Sequence, residues 1–383
     1  MVNLRAISAS LAVSLLAGTA VAHPGESKAA VKREAYLLNR AQAGARRAIT
    51  GCADAENSAA LKARSAARRA ATAEALRKKR GLDSHRMRGK RDQAALEKYL
   101  AVDHNVTHLG YTLDTPIDVI FDSNSSVALI PEVTIGPYWV SGELIRTDIT
   151  DDEPGVPLHL DLQFIDLNTC QAVPKMLIDA WHCNATGVYS GVATTGQGGL
   201  NSTFGRGIQE TDEDGVVQFD TIFPGHYTGR TGHIHIMSTE NATILPNNTY
   251  LTNGKANHIG QIFFDQHLIN AVESLSPYTS NEQTLTLNSE DGIGAQTATD
   301  AYDPFVDYVL LGPNLQDGLL AYITVFVDTT ANVTANVQAA AHYYQGGGVA
   351  NPDAGGGFPG GPGGPGGPPP SGSFPPLPSS TAN

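Results

Sequence analysis

The chain contains little cysteine, which excludes a fold held together by several disulfides. Only Cys52, Cys170 and Cys183 occur among 383 residues, and disulfide-dense scaffolds need more. One bridge can form, and Cys170–Cys183 is the favoured pair if Cys52 lies in a segment that is removed; spacing alone does not decide. The fold is therefore expected to depend on a hydrophobic core, for which the length is sufficient.

Long apolar runs are also missing, and this argues against a membrane anchor. No stretch after the N-terminus has the roughly 18 consecutive apolar residues of a transmembrane helix. At the N-terminus, Arg5 precedes a short apolar run over 6–17 and then Ala20-Val21-Ala22. This pattern predicts a signal peptide over 1–22, cleaved before His23, and hence a secreted, extracellular protein. Seven glycosylation sequons agree with that route. They lie at Asn105, Asn124, Asn184, Asn201, Asn241, Asn247 and Asn332.

Basic residues are scarce after residue 91. Residues 28–91 hold 18 of the 25 Lys and Arg against five acids, whereas residues 92–383 hold six bases against 32 acids. Nucleic-acid binding by the basic part is disfavoured, because the protein is expected to be secreted and Tyr36 is the single aromatic residue in that range. We interpret 23–91 as a basic helical segment and candidate propeptide, since Lys78-Lys79-Arg80 and Lys90-Arg91 are typical dibasic processing sites. The alternative is a helix that stays attached and packs on the domain.

The rest of the chain divides by composition. Helix formers, with almost no Gly or Pro, predict helix over about 29–100, and 92–126 is expected to be the end of this helix and a linker. From 127 onward short β-rich runs alternate with turn signals, which predicts an antiparallel β-sandwich domain over 127–344. The Gly/Pro-rich residues 345–383 are expected to be a disordered tail. Strands are predicted at 158–167, 176–181, 216–219, 233–237, 284–287 and 319–327.

His233-Ile234-His235 is the first candidate for chemistry. Side chains alternate along a strand, so both imidazoles lie on one face, an arrangement that suits two neighbouring ligands of one metal ion. Two histidines on a solvent-exposed face give the same pattern. Tyr227 lies six residues upstream of His233 in a turn leading into this strand, and Tyr189 lies in a loop that leaves a predicted core strand. Taken singly, each tyrosine is more often a half-buried packing residue than a metal ligand.

Taken in order, these residues resemble the intradiol ring-cleavage dioxygenases, and among them the extracellular fungal type. The resemblance covers about 130–330 and leaves out the basic segment and the tail. Its motifs are specific as an ordered set. They are Gly136-Pro137-Tyr138-Trp139, Asp179-Ala180-Trp181-His182 followed by Gly187-Val188-Tyr189, residues 211–215 leading to Pro224-Gly225-His226-Tyr227, His233-Ile234-His235, and Gly260-Gln261-Ile262-Phe263-Phe264.

The resemblance implies a mononuclear non-haem Fe(III) site with four protein ligands. Tyr189 and His233 would be equatorial, whereas Tyr227 and His235 would be axial. Tyr227 would also accept a proton from the substrate. Arg230, three residues before His233, falls where the family places a substrate-facing arginine that stabilises negative charge, and Gln261 would line the substrate pocket. The implied reaction is the cleavage of a small catechol-type diol by dioxygen to a muconate-type diacid.

The donor types themselves agree with ferric iron. Tyrosine ionises near pH 10, so two phenolate ligands at neutral pH need a strongly Lewis-acidic ion. Zinc is the usual ion of histidine-rich sites, and the two tyrosines disfavour it.

Two other functions stay open: a non-catalytic β-sandwich that binds carbohydrate or a surface partner, and a copper oxygenase that needs His23 at its mature N-terminus. No nucleic-acid or membrane partner is expected, and the oligomeric state is not predicted.

Overall fold

The computed structural model describes residues 51–52, 55, 57–82, 127–128, 135–251, 253–297, 303–344 and 346–352. The predicted signal peptide (1–22), the linker (92–126) and residues 353–383 of the predicted tail lie outside these ranges, as does His23. None of the helices in the described ranges is long and apolar enough to cross a membrane.

The described residues form fourteen strands and three α-helices. The strands are β1 (Val127–Ala128), β2 (Val140–Ser141), β3 (Pro157–Asp166), β4 (Leu177–Trp181), β5 (Arg206–Glu210), β6 (Val216–Ile222), β7 (His233–Glu240), β8 (Thr243–Ile244), β9 (Tyr250–Leu251), β10 (Lys255–Phe263), β11 (Asp307–Leu310), β12 (Leu319–Val327), β13 (Ala341–Tyr344) and β14 (Gly347–Ala350). The helices are α1 (Ser58–Lys79), α2 (Gln266–Glu273) and α3 (Gly292–Thr297). Three 3₁₀ turns lie at Tyr278–Ser280, Leu315–Asp317 and Thr334–Asn336.

Two sheets pack face to face, which confirms the predicted mainly β sandwich. The first has the order β1-β12-β3-β6 with β11 beside β12, and the second has the order β10-β7-β4-β5. Apolar side chains from both sheets form one continuous core between them. The second sheet is antiparallel throughout, whereas in the first β12 pairs parallel with β1 and β3.

The outer face of the first sheet is covered by α1. In β3 the leucines point into the core, so Asp161 and Gln163 lie on the opposite face, under the helix. Asp161 accepts hydrogen bonds from Arg68 and Arg69 at 3.0 Å, and Gln163 accepts one from Ser65 at 2.8 Å. The basic segment is thus bound to the acidic domain by charge as well as by apolar contacts.

The disulfide differs from the favoured prediction. Cys52 is bonded to Cys170, and Cys183 is a buried free thiol. Cys183 follows β4 and donates to the carbonyl of Gly225 at 3.4 Å. Cys170 instead lies in the turn after β3, where its carbonyl accepts a hydrogen bond from Asn57 at 3.0 Å. The docking of α1 therefore brings Cys52, not Cys183, to Cys170.

Residues 284–287 are not a strand, although their sequence alternates. The turn over 227–230 contacts this stretch through a side chain and not through a backbone ladder: the backbone N–H of Gly229 donates to the hydroxyl of Thr286 at 3.0 Å. Just before the stretch, the amide oxygen of Gln283 accepts from the backbone N–H of Thr228 at 3.2 Å. The segment forms an irregular loop beside the turn over 227–230.

The ordered domain also extends past residue 344. Gly347–Ala350, within the segment expected to be disordered, forms β14 and pairs antiparallel with β13. Because this pairing uses backbone groups alone, a glycine-rich stretch can enter it without the side-chain alternation that marks a strand in a sequence. β13 in turn pairs with β2, and these strands join the layer that covers the second sheet.

Candidate active site

The predicted site lies on the outer face of the second sheet. In β7, Ile234 and Ile236 point into the sandwich core, so His233 and His235 point to the other side. A second apolar cluster covers this face and includes Trp181 and Tyr189 with residues of the loops before β2 and β13. Both histidines are buried, which excludes the interpretation as a pair on a solvent-exposed face.

The structure brings the four predicted ligands together. The Nε2 atoms of His233 and His235 are 3.2 Å apart, and the hydroxyl of Tyr189 is 3.5 Å from Nε2 of His233. The ring of Tyr227 has its centre 5.7 Å from the ring of His233 and 5.8 Å from the ring of Tyr189. Two neighbouring ligands, each about 2.1 Å from a metal at a right angle, are about 3 Å apart, so the two imidazole nitrogens have the spacing of a chelating pair.

The orientation of both imidazoles is fixed by contacts outside the site. Nδ1 of His233 is 2.6 Å from the carbonyl of Thr231; a carbonyl only accepts, so Nδ1 carries the proton and Nε2 presents a lone pair. The ring of His235 stacks on Trp181, with centres 4.8 Å apart and planes 7° apart. On its edge, a Cβ at Gly136 would lie 3.2 Å from Cε1 of His235, and φ at Gly136 is +76°. Glycine suits this position because a Cβ would crowd the ring of His235 and because residues with a Cβ rarely adopt this positive φ.

Burial keeps all four donors neutral when no cation is bound. It lowers the pKa of His233 and of His235 well below the ordinary histidine value. Burial also raises the pKa of Tyr189 well above the ordinary tyrosine value and that of Tyr227 to about 12. Neutral imidazoles are ready to bind a metal, whereas the phenols must each lose a proton to do so. The donor set thus fits a strongly Lewis-acidic cation.

Tyr189 is fully buried, and contacts with residues of the surrounding loops and of β5 hold it in place. Its backbone N–H donates to the side chain of Gln197 at 2.6 Å, and Tyr138 stacks on its ring with centres 4.7 Å apart. Beneath it, the buried Arg206 donates to the carbonyls of Ser190 at 2.8 Å and Tyr138 at 2.6 Å. One arginine therefore joins the two loops that carry the stacked tyrosines.

Tyr227, in contrast, is half-buried and sits at the start of a tight turn. The turn is closed by a 2.9 Å bond from the backbone N–H of Arg230 to the carbonyl of Tyr227. The preceding His226 contacts Glu273 of α2 at 2.7 Å and the carbonyl of Gln283 at 3.0 Å. The backbone before the turn is thus anchored, while the phenol of Tyr227 lies at the more open side of the site.

Arg230 and Gln261 lie beside the histidines and contact each other. A terminal nitrogen of Arg230, Nη2, donates to Oε1 of Gln261, and Gln261 pairs with His235 across β7 and β10. Because arginine can only donate, the amide of Gln261 must present Oε1 to it. Nε2 of Gln261 is then a buried donor without a partner among the described residues.

Several residues near the site were not predicted as functional from the sequence. Asp291 accepts from Nε of Arg230 at 2.9 Å, Trp181 stacks on His235, and Tyr138 covers Tyr189. The only sequence signal for Asp291 is its position before Gly292, typical of a helix N-cap. Two other residues lie in structural networks: His182 bonds to Thr221 at 2.7 Å, and Arg146 pairs with Asp151 at 2.5 Å.

Comparison with known proteins places these residues in a family. A dioxygenase family model matches residues 136–248. No curated protein matches the chain. Among solved structures, an intradiol ring-cleavage dioxygenase from Tetranychus urticae is 30% identical over 54% of this chain and 98% of its own, with a TM-score of 0.45. The dioxygenase domain of a carbohydrate-binding fusion from Streptomyces sp. SirexAA-E is 23% identical over 52% of this chain and 98% of its own, with a TM-score of 0.35. Catechol 1,2-dioxygenase from Acinetobacter sp. ADP1 is 19% identical over 55% of this chain and 65% of its own, with a TM-score of 0.34.

The span matched by the family model contains the two tyrosines, the two histidines and Arg230. The identity to the mite enzyme extends over 98% of that protein. The chain belongs to the intradiol ring-cleavage dioxygenase family.

Proposed function

We propose that this protein is a secreted, Fe(III)-dependent enzyme that uses dioxygen to cleave a catechol-type diol between its hydroxylated carbons. The product would be a muconate-type diacid. The observation that carries the proposal is the convergence of two imidazole Nε2 atoms 3.2 Å apart with two phenols, one fully buried at Tyr189 and one half-buried at Tyr227. Secretion is supported by the N-terminal sequence pattern alone.

The iron ligands in this proposal are Tyr189, Tyr227, His233 and His235. Ferric iron held by them would activate the bound diol for reaction with dioxygen. The neutral imidazoles need no proton loss, because burial holds the pKa of both histidines low. Among the described residues, no group of three or more His, Cys, Asp or Glu side chains is gathered as a metal site, so phenols are the partners available to the histidines.

The two tyrosines are suited to different tasks. Tyr189 is fully buried and packed under Tyr138, which suits a ligand that stays in place. Tyr227 is half-buried on a turn, which suits a ligand that moves. Because burial raises the pKa of Tyr227 to about 12, its phenolate is a strong base at neutral pH. Its oxygen is therefore the proposed acceptor for a proton from the diol.

Arg230 and Gln261 would act on the substrate. The domain from residue 92 onward has only six bases against 32 acids, so its general field repels anions. Arg230 supplies local positive charge beside the histidines, and a preorganised cation stabilises negative charge that develops during the reaction. The unpaired N–H donor of Gln261 would orient an oxygen of the substrate.

An absorption spectrum of the purified protein, combined with metal analysis, tests the proposal. We expect near one iron per chain and a visible tyrosinate-to-iron band that shifts when catechol is added without oxygen. Tyr189→Phe and Tyr227→Phe should each weaken the band. Tyr250→Phe is the matched control, because Tyr250 is also buried but lies outside the site. A colourless protein that cannot be reconstituted with iron would overturn the proposal.

A further inference from the structure

Asp291 is a buried carboxylate that connects Arg230 to the protein around it. Its side chain is fully buried, and Oδ2 accepts from Nε of Arg230 and from the backbone N–H of Thr231, both at 2.9 Å. Its other oxygen accepts from the backbone N–H groups of Ile293 and Gly294, also at 2.9 Å, at the start of α3. Both carboxylate oxygens are thus used, one toward the site and one toward the helix.

The guanidinium of Arg230 is held at two points. Asp291 binds Nε and Gln261 binds Nη2, so the plane of the group is fixed by contacts on two sides. Neither bond uses the remaining terminal nitrogen, Nη1, which would be available to an anionic ligand. An arginine whose side chain is only 14% exposed would be costly to hold in place without an opposite charge.

We infer that Asp291 is a positioning residue for the reaction, acting through Arg230. This inference rests on the proposed function, in which Arg230 stabilises negative charge on the substrate. Electrostatic stabilisation depends on a charge that is already oriented before the reaction. Without Asp291, Gln261 is the one described partner left to the guanidinium, and a single contact does not stop the group from rotating away from both Gln261 and the substrate.

A purely structural role for Asp291 is the competing explanation, because the same carboxylate caps α3. Asp291→Ser separates the two roles. Serine is a good N-cap residue, but it carries no charge and is too short to reach Nε of Arg230 from the same backbone position. Asp265→Ser is the matched control, since Asp265 is another buried aspartate that caps a helix, accepting from the backbone N–H of Leu268 at 2.7 Å.

The first test is a double-mutant cycle on catechol cleavage by the iron-loaded protein. Asp291→Ser should lower kcat/KM by about 10- to 100-fold, mainly through kcat, as loss of an orienting partner commonly does. In an Arg230→Gln background, the same change should alter kcat/KM by less than about twofold, because the group it orients is gone. An equally large effect of Asp291→Ser in both backgrounds would overturn the inference, and so would an effect no larger than that of Asp265→Ser.

A crystal structure of the Asp291→Ser protein gives a readout that does not depend on activity. The guanidinium of Arg230 should be displaced from Gln261 or disordered; an unchanged Arg230 would refute the inference. A wild-type protein that binds no iron and leaves catechol intact overturns the proposed function, and the position of Arg230 then still decides the role of Asp291. If Asp291→Ser does not fold, Asp291→Asn serves both tests, since one amide oxygen cannot bind Arg230 and cap α3 together.

Discussion

Cys52, which precedes α1, is bonded to Cys170, which follows β3. The dibasic sequence Lys78-Lys79-Arg80 lies between these two cysteines in the chain. A cut after Arg80 therefore leaves the fragment that contains α1 covalently attached to the sandwich. The helix is also held by apolar contacts with β11 and β12, which favours the alternative of a retained helix over that of a discarded propeptide.

A protease specific for paired basic residues should therefore cut the folded protein without releasing α1. After a cut at Lys78-Lys79-Arg80 or at Lys90-Arg91, we expect one band in non-reducing denaturing electrophoresis that contains both α1 and the sandwich, and separate bands for the two after reduction. In Cys52→Ser, the same cut should give two bands without reductant, because only non-covalent contacts remain. Release of the α1 fragment from the wild-type protein without reductant would contradict the bridge.

Asp161 should contribute strongly to stability through its contact with α1. Arg69 is buried beside it, so Asp161→Asn leaves a buried cation without its partner and should lower the free energy of unfolding by about 3–5 kcal/mol. Asp214→Asn is the control: its partner Arg64 is 55% exposed, and an exposed pair contributes at most about 1 kcal/mol. Denaturant unfolding at pH 7 measures both, and equal losses would contradict the buried role of Asp161.

The contribution of Asp161 should also depend on pH in a defined direction. Burial alone would raise the pKa of this carboxyl, but Arg69 and Arg68 outweigh it and hold the pKa well below its ordinary value. A group with a depressed folded-state pKa stabilises the protein above its unfolded pKa, and this stabilisation is lost as the pH falls toward the folded value. The difference between wild type and Asp161→Asn should thus be constant above about pH 5 and shrink below about pH 4. A difference that grows on acidification would contradict this.

Much of the site could be predicted because its signals are local. The alternation of β7 sends His233 and His235 to one face whatever the strand packs against, and the ordered motifs supply Tyr189 and Tyr227. Asp291 could not be predicted in this way. It lies 61 residues after Arg230, and only the packing of the loop over 288–291 against the turn at 230–231 brings the two together.

The N-terminal segment likewise shows that the sequence does not predict contacts between parts of the chain that are far apart. Its composition predicts a helix, and α1 is a helix over part of the expected range. Composition does not say where the helix docks, so the sequence left open whether the segment is removed at its dibasic sites or stays attached and packs on the domain. The predicted disulfide was wrong for the same reason, since the Cys52–Cys170 bond spans 118 residues and depends on that docking.

If the protein follows a glycosylating secretory route, the sequons should differ in whether they carry a glycan. Asn201, Asn241, Asn247 and Asn332 are exposed. The side chain of Asn184 is instead engaged within the fold: its oxygen accepts from Val188 at 3.1 Å and its nitrogen donates to Glu153 at 3.0 Å. Glycopeptide mass spectrometry of the protein from a eukaryotic host should find glycans among the four exposed positions and none at Asn184. A glycan at Asn184 would require the loop that carries Tyr189 to be arranged differently.

Iron binding should release protons, because the two phenols are protonated in the metal-free site. Burial raises the pKa of Tyr189 well above its ordinary value and that of Tyr227 to about 12, whereas both histidines are already neutral. Raising the pH therefore favours binding. Two protons released per iron make the association constant rise about 100-fold per pH unit at a fixed free-iron activity.

Chelator-buffered titrations between about pH 6 and pH 8 measure this slope. This pH range lies well below the tyrosine pKa values, so both phenols of the metal-free protein stay protonated throughout. Tyr227→Phe removes one of the two released protons, so its slope should fall to about tenfold per pH unit. Tyr250→Phe, which removes a buried hydroxyl outside the site, should keep the wild-type slope. If Tyr227→Phe and the wild-type protein share one slope, Tyr227 does not bind iron as a phenolate, and it could not then be the base that receives the proton of the diol.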